Sequence, residues 1–262
     1  MNTLRRIPAV FLFEWRRALT IPRLAWMVAL MAFPPLLLAL IRSTVGSDPP
    51  REIAAMFIYA LSPCVACMMS VFLWATPALS AELEGRSWVY LAVRPHGPLA
   101  VLLGKYLVAV SWSIPVGGVS VALSVIALGV DQPLHMIAMQ SALVVLSCLS
   151  YSALFLLAGV VAPKRAMVVG IVYAIVFEVA LAMVPAAVNL LTVQYRLRCL
   201  FVRWLEMDLR WAEGRPVLMA YFGDESGLWH TSVLLAMTCG YLAAAAVLLR
   251  YREFTAAAET DI

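Results

Sequence analysis

Residues 136–161 read MIAMQSALVVLSCLSYSALFLLAGVV, without one charged side chain. An α-helix needs about 20 predominantly apolar residues to cross a hydrocarbon core of about 30 Å, and this run exceeds that length. Lipid is the natural solvent for it, since a soluble helix would confine its apolar residues to a stripe. Working outward, runs of the same kind occupy residues 24–41, 53–79, 107–128, 166–191 and 228–249. Each is too long and too evenly apolar for the short alternating strands of a barrel, and helices satisfy their backbone groups within the segment. Composition agrees: 64% of residues are hydrophobic and 13% charged, where a soluble domain carries about 25% charged residues. The expected fold is an all-α integral membrane protein with six transmembrane helices spanning residues 24–249.

Prolines 34, 35, 63, 77, 115 and 185 fall inside these runs. Neighbouring helices re-satisfy backbone groups freed at such positions, so kinks are expected, with transport hinges as the sharper alternative. The leading segment, residues 1–23, has its own pattern. From residue 8 to 19, Phe11, Trp15 and Ala18 follow helical spacing on one side while Arg16 and Arg17 point to the other. That predicts an amphipathic entry helix lying in the headgroup layer, with Pro8 in its first turn. No cleavable signal peptide is expected, because no small-residue cleavage site follows the apolar run.

Basic residues in short loops stay on the cytoplasmic side. With the N-terminus inside, the leading segment, loop 80–105, the Lys164 and Arg165 pair and the tail 250–262 hold 12 of the 19 Lys and Arg residues. Short outer loops hold only Arg42 and Arg51. Both termini are therefore expected in the cytoplasm, with the chain multi-pass in the cell membrane. The net charge of +4 reflects this bias and supports no nucleic-acid partner. The outer segment 192–228 balances five arginines with five acids. Arg196, Arg203 and Arg210 recur every seven residues, with Leu197, Leu200, Phe201, Trp204 and Trp211 opposite. This predicts an amphipathic helix on the outer membrane surface, capping the bundle or gating an exit.

Sites of chemistry are sparse. Residues 97–105, GPLAVLLGK, are no nucleotide loop: six residues separate the glycines instead of four, and Tyr106 stands where Ser or Thr is needed. His96, His135 and His230 are scattered, and Cys64 and Cys67 share a helix face without a second ligand pair, so no metal site is expected. Ser120 follows a glycine but lacks the second glycine of a nucleophile elbow and reads as a packing residue. Glu178 differs. It lies near the middle of run 166–191, where an acid costs on the order of 3 kcal/mol, and it either lines a translocation path or bonds a neighbouring helix.

The loop 80–105 reads SAELEGRSWVYLAVRPHGPLAVLLGK. Glu82 and Glu84, Gly85 with Ser87, Tyr90 with Leu91, Arg94 with Pro95, and Gly104 with Lys105 follow one another there. This series resembles the corresponding loop of permease subunits of ATP-binding-cassette transporters of the second, exporter-like type. The entry helix, six spans, inside termini and long outer segment are similar to that family over the whole chain. The resemblance implies a permease that exports a substrate. Its loop docks on a separate ATPase through Glu82, Glu84, Gly85, Ser87, Tyr90, Arg94 and Pro95, and ATP with Mg is bound by that partner. It also implies pairing with a second permease copy or a related one. A non-transporting scaffold and an intramembrane enzyme are the alternatives from the residues alone.

Overall fold

The computed structural model describes residues 3–45, 49–84, 97–181, 187–207, 223 and 225–251. These residues are helical almost throughout and include no strand. α1 covers Thr3–Ala18, α2 Ile21–Val45, α3 Arg51–Tyr59, α4 Cys67–Glu84, α5 Gly97–Leu128 and α6 Pro133–Val161. Beyond them come α7, Ala166–Tyr173, then α8, Val193–Trp204, and α9, Gly227–Tyr251. Wide π-helical turns continue α3 over Ala60–Ala66 and α7 over Ala174–Ala180, and 3-10 turns occupy Pro163–Arg165 and Ala187–Leu191.

Among the described residues, five helices are long and apolar enough to cross a membrane: Ile21–Thr44, Arg51–Leu83, Gly97–Leu128, Pro133–Val161 and Gly227–Tyr251. The remaining expected span, residues 166–191, is not among these five. α7 passes into the π-helical turn, residues 182–186 lie outside the described ones, and a 3-10 turn follows. Hydropathy sees apolar content and not the hydrogen-bond ladder, so the π-helical turn inside this stretch left no mark in the sequence.

α6 is the hub. It packs against α4, α5, α8 and α9, and 72% of its most apolar window is buried, against 22% for α2 and α9 at the flanks. Pro133 opens it without losing a useful donor. Close approach is bought with small residues: a Cβ on Gly159 would lie 2.9 Å from the Thr76 carbonyl oxygen of α4, and one on Gly117 of α5 would run into Cys67 and Val144. Buried hydroxyls pair across the same seams, Ser62 with Ser120 at 3.0 Å and Ser70 with Ser113 at 3.1 Å. Ser120 is thus a packing residue, as its context suggested.

Pro34, Pro35, Pro77 and Pro115 lie within α-helices. Pro63, which has no N–H to donate, stands inside the turn Ala60–Ala66, where the ladder widens. The Pro63 carbonyl accepts from Ser147 Oγ of α6 at 2.9 Å, so a neighbouring helix bonds the backbone within this turn. Pro185 lies outside the described residues.

Gly159→Ala should therefore lower the thermal midpoint of the detergent-purified chain, by about 1–3 kcal/mol in stability, because the Thr76 backbone cannot yield as a side chain would. Gly118→Ala meets nothing within 4 Å and should leave the midpoint unchanged. Equal midpoints for the two variants would show that the α4 and α6 backbones are not held at this distance.

Candidate functional site

Two polar assemblies interrupt the apolar bundle. The first joins α1 to the ends of α4 and α5 that flank the loop. α1 turns Phe11, Trp15 and Ala18 inward, the side its spacing predicts, where they pack on Met27, Val108, Trp112 and Val116. Trp15 stacks on Trp112 at 4.4 Å and Trp112 on Trp74 at 5.4 Å, joining α1, α5 and α4 in one aromatic column. The apolar face of α1 is thus covered largely by the bundle, while Leu12 and Phe13 stay exposed. A Cβ on Gly104 would lie 2.6 Å from Val10 Cγ1, so glycine there lets α1 cross α5.

Ion pairs complete the junction. Lys105 Nζ lies 3.2 Å from Glu14 Oε1 and 3.3 Å from Glu82 Oε1, and its side chain is only 4% exposed. Arg17 reaches the same Glu82 oxygen at 2.9 Å but is 61% exposed. The two contacts carry unequal weight: an exposed pair contributes about 0–1 kcal/mol, whereas removing one partner of a buried pair costs about 3–5 kcal/mol. Lys105 is the pivot, bridging α1 to α4 from α5.

The second assembly centres on Glu178, which is buried. The wide turn Ala174–Ala180 points Glu178 inward while Val176, Phe177 and Val179 face outward. Its carboxylate accepts from four donors: Tyr173 OH at 3.2 Å and Val193 N–H at 3.3 Å on Oε1, Tyr151 OH at 2.9 Å and Gln194 N–H at 2.8 Å on Oε2. Thr192 Oγ1 accepts from Tyr195 N–H at 3.2 Å. The first three N–H groups of α8, which no helix can satisfy internally, are therefore all matched, and an acid faces the positive end of the helix dipole. Gln194 extends the network, its Nε2 donating to Tyr59 OH at 3.1 Å and to Cys64 Sγ. Both π-helical turns thus contribute to one polar cluster, since Cys64 belongs to the first and Glu178 to the second.

α8 is not the surface helix its charge spacing predicts. Nine of its residues are buried, Arg196 and Arg198 among them. Arg196 reaches His230 Nδ1 at 3.2 Å and covers the Tyr195 ring at 5.2 Å, and Arg203 donates to the Gly223 carbonyl at 3.1 Å. The helix is covered on the charged side as well, so it is enclosed by its neighbours on both faces. Arg210 and Trp211 lie outside the described residues. Burial pushes the Cys199 thiol up to about 11.

Of the residues expected at the coupling loop, Glu82 is described, and it faces Arg17 and Lys105 of its own chain. Glu84 ends α4, with its side chain outside the described residues, as are Gly85, Ser87, Tyr90, Arg94 and Pro95. Glu178 has the partners that sequence could not supply: Tyr151, Val193 and Gln194 lie well away from it along the chain, and only Tyr173, one turn and a half before it, was near enough to suggest itself. Among the described residues no group of three His, Cys, Asp or Glu is arranged to hold a metal ion. No protein-family model matches the chain, and a search of curated proteins returns no match.

The Glu178 network predicts a graded response. Glu178→Leu leaves two buried N–H groups of α8 without an acceptor and should cost about 3 kcal/mol; Glu178→Gln, which keeps one amide oxygen, should cost less. Release of α8 would return the Cys199 thiol towards its ordinary 9.0, raising its thiolate fraction at pH 8 roughly a hundredfold. Maleimide modification read at Cys199 by mass spectrometry should accordingly be fastest in Glu178→Leu. Identical rates in all three proteins would mean that Glu178 does not hold α8.

Proposed function

We propose that the chain is the membrane-spanning permease subunit of an ATP-binding-cassette transporter of the exporter-like second type, moving a substrate with energy from a separate ATPase. The series of residues in loop 80–105 carries this reading. Its setting supports it: the loop joins α4 to α5, and the Glu14, Lys105 and Glu82 contacts tie both helix ends to α1. A partner pressing on Glu84, Gly85, Ser87, Tyr90, Arg94 and Pro95 would act on three helices at once. Charged and aromatic side chains suit such a docking surface. Glu82 then serves as the strut beneath the loop more than as a contact with the partner.

In this reading α1 and both termini are cytoplasmic in the cell membrane, α7 with its π-helical turn builds a sixth crossing, and a second permease completes the transporter. ATP and Mg belong to the partner, and Glu178 shapes the path by holding α8 rather than by meeting substrate.

Copurification in mild detergent tests the proposal. An ATP-binding-cassette ATPase should accompany the wild-type chain, and Tyr90→Ala with Arg94→Glu should abolish that association while membrane insertion stays normal. Glu82→Gln should weaken association only together with a lower thermal midpoint, because it acts through α1. Retention of the ATPase by the Tyr90 and Arg94 double variant would remove the loop as coupling element, and with it the family reading.

A further inference from the structure

Beside the α1 junction lies a cleft of about 90 Å³ between α1, the start of α2, α4 and α5. Its walls include Ala18, Pro77, Ala78 and Val108, and its charges come from Glu14, Arg17, Arg23, Glu82 and Lys105. Arg17 and Lys105 are balanced by Glu14 and Glu82, with which they pair. Arg23 is left over. Among the described residues no carboxylate pairs with it; its guanidinium lies 5.1 Å from the Trp74 ring centroid. Among the described residues the cleft therefore holds one surplus positive charge, set against an aromatic plane.

Depth decides what can reach it. α5 is 32 residues long, or about 48 Å at 1.5 Å per residue, well beyond a hydrocarbon core of about 30 Å. Its charge-free run ends at Lys105, which lines the cleft. Trp15, Trp74 and Trp112 gather at the same level, as tryptophans do at headgroup depth. The first turns of α2 beyond Arg23 carry apolar side chains open to the surroundings, with Leu24 40%, Trp26 62% and Val28 63% exposed. A molecule seated in the cleft would thus have its charged end beside Arg23 and an apolar wall for chains running into the membrane.

We propose that this cleft binds the headgroup phosphodiester of an anionic phospholipid. Arg23 supplies the guanidinium for the phosphate oxygens, as a planar fork suited to them, and Trp74 holds it in place. The acyl chains follow α2. The site does not depend on the transporter reading, since a lipid would brace α1 against the bundle in any membrane protein of this shape.

Native mass spectrometry of the full delipidated chain in detergent tests it, with phosphatidylglycerol, a diacylglycerol of the same chains and inorganic phosphate as separate probes. The wild type should retain one phosphatidylglycerol and no diacylglycerol, and inorganic phosphate at millimolar concentration should not displace the lipid. Arg23→Gln changes an exposed side chain and should weaken retention roughly tenfold, the order of one hydrogen bond to a charged group. Ala81→Phe, at an exposed cleft position, should block the lipid without touching a charge. Equal retention of diacylglycerol would make the contact acyl only, displacement by inorganic phosphate would make it a site for the free anion, and full retention by both variants would place the lipid elsewhere; each result overturns the proposal.

Discussion

A bundle solvated by lipid has no water to spare for its polar groups, so a group sunk into it is costly unless another part of the chain matches it. That constraint explains the pairing of serine with serine between the α3 to α4 rod and α5, and of Ser150 with Thr238 between α6 and α9 at 3.0 Å. It explains why Gln140, fully buried, gives its amide to the Ala55 carbonyl. Above all it explains Glu178. A carboxylate that would be costly alone becomes the acceptor that α8 requires, and the first turn of α8 becomes the donor set that the carboxylate requires. Neither would be stable without the other.

The spans were legible because hydropathy is local and additive: a run of apolar residues declares itself without any knowledge of its neighbours. The inward face of α1 was legible for the same reason, since Phe11, Trp15 and Ala18 share a side whatever covers them. What covers them was not legible. Periodicity gave α1 an apolar side without saying what meets it, and the bundle meets it through Trp112. In α8 the same limit had a larger effect. Arginines every seven residues suggest a solvated stripe, yet Arg196 is met by His230 and Tyr195, and such partners, more than thirty residues away in the case of His230, leave no trace in spacing. The widened turn at Ala174–Ala180, which has no proline to announce it, was equally silent.

The candidate site divides along the same line. Glu82 and Lys105 stood out in sequence as members of a loop pattern, and the structure places both in one buried junction. Their charges look inward to Glu14, Arg17 and each other, so the pattern records an internal brace as well as any contact with a partner. A lysine 4% exposed between two carboxylates resists separation far more than the exposed Arg17 contact does. α1, α4 and α5 are therefore tied at this end by a contact that is expensive to open, reinforced by the tryptophan column.

The other end of the same rod is built differently. From Glu82 to Cys64 the chain runs through α4 into the turn Ala60–Ala66, a distance of about 27 Å at helical rise. Cys64 and Tyr59 there receive hydrogen bonds from Gln194, whose own N–H is held by Glu178. Helices transmit displacement along their axes with little loss, but a π-helical turn with a proline in it is where such a rod bends most readily. Motion imposed at the braced end would thus be absorbed or passed on at Ala60–Ala66, against the first turn of α8. The two polar assemblies are thus connected in space and differ in one respect: the junction at Lys105 is closed by opposite charges, while the Gln194 side chain meets the turn Ala60–Ala66 and Tyr59 through neutral hydrogen bonds.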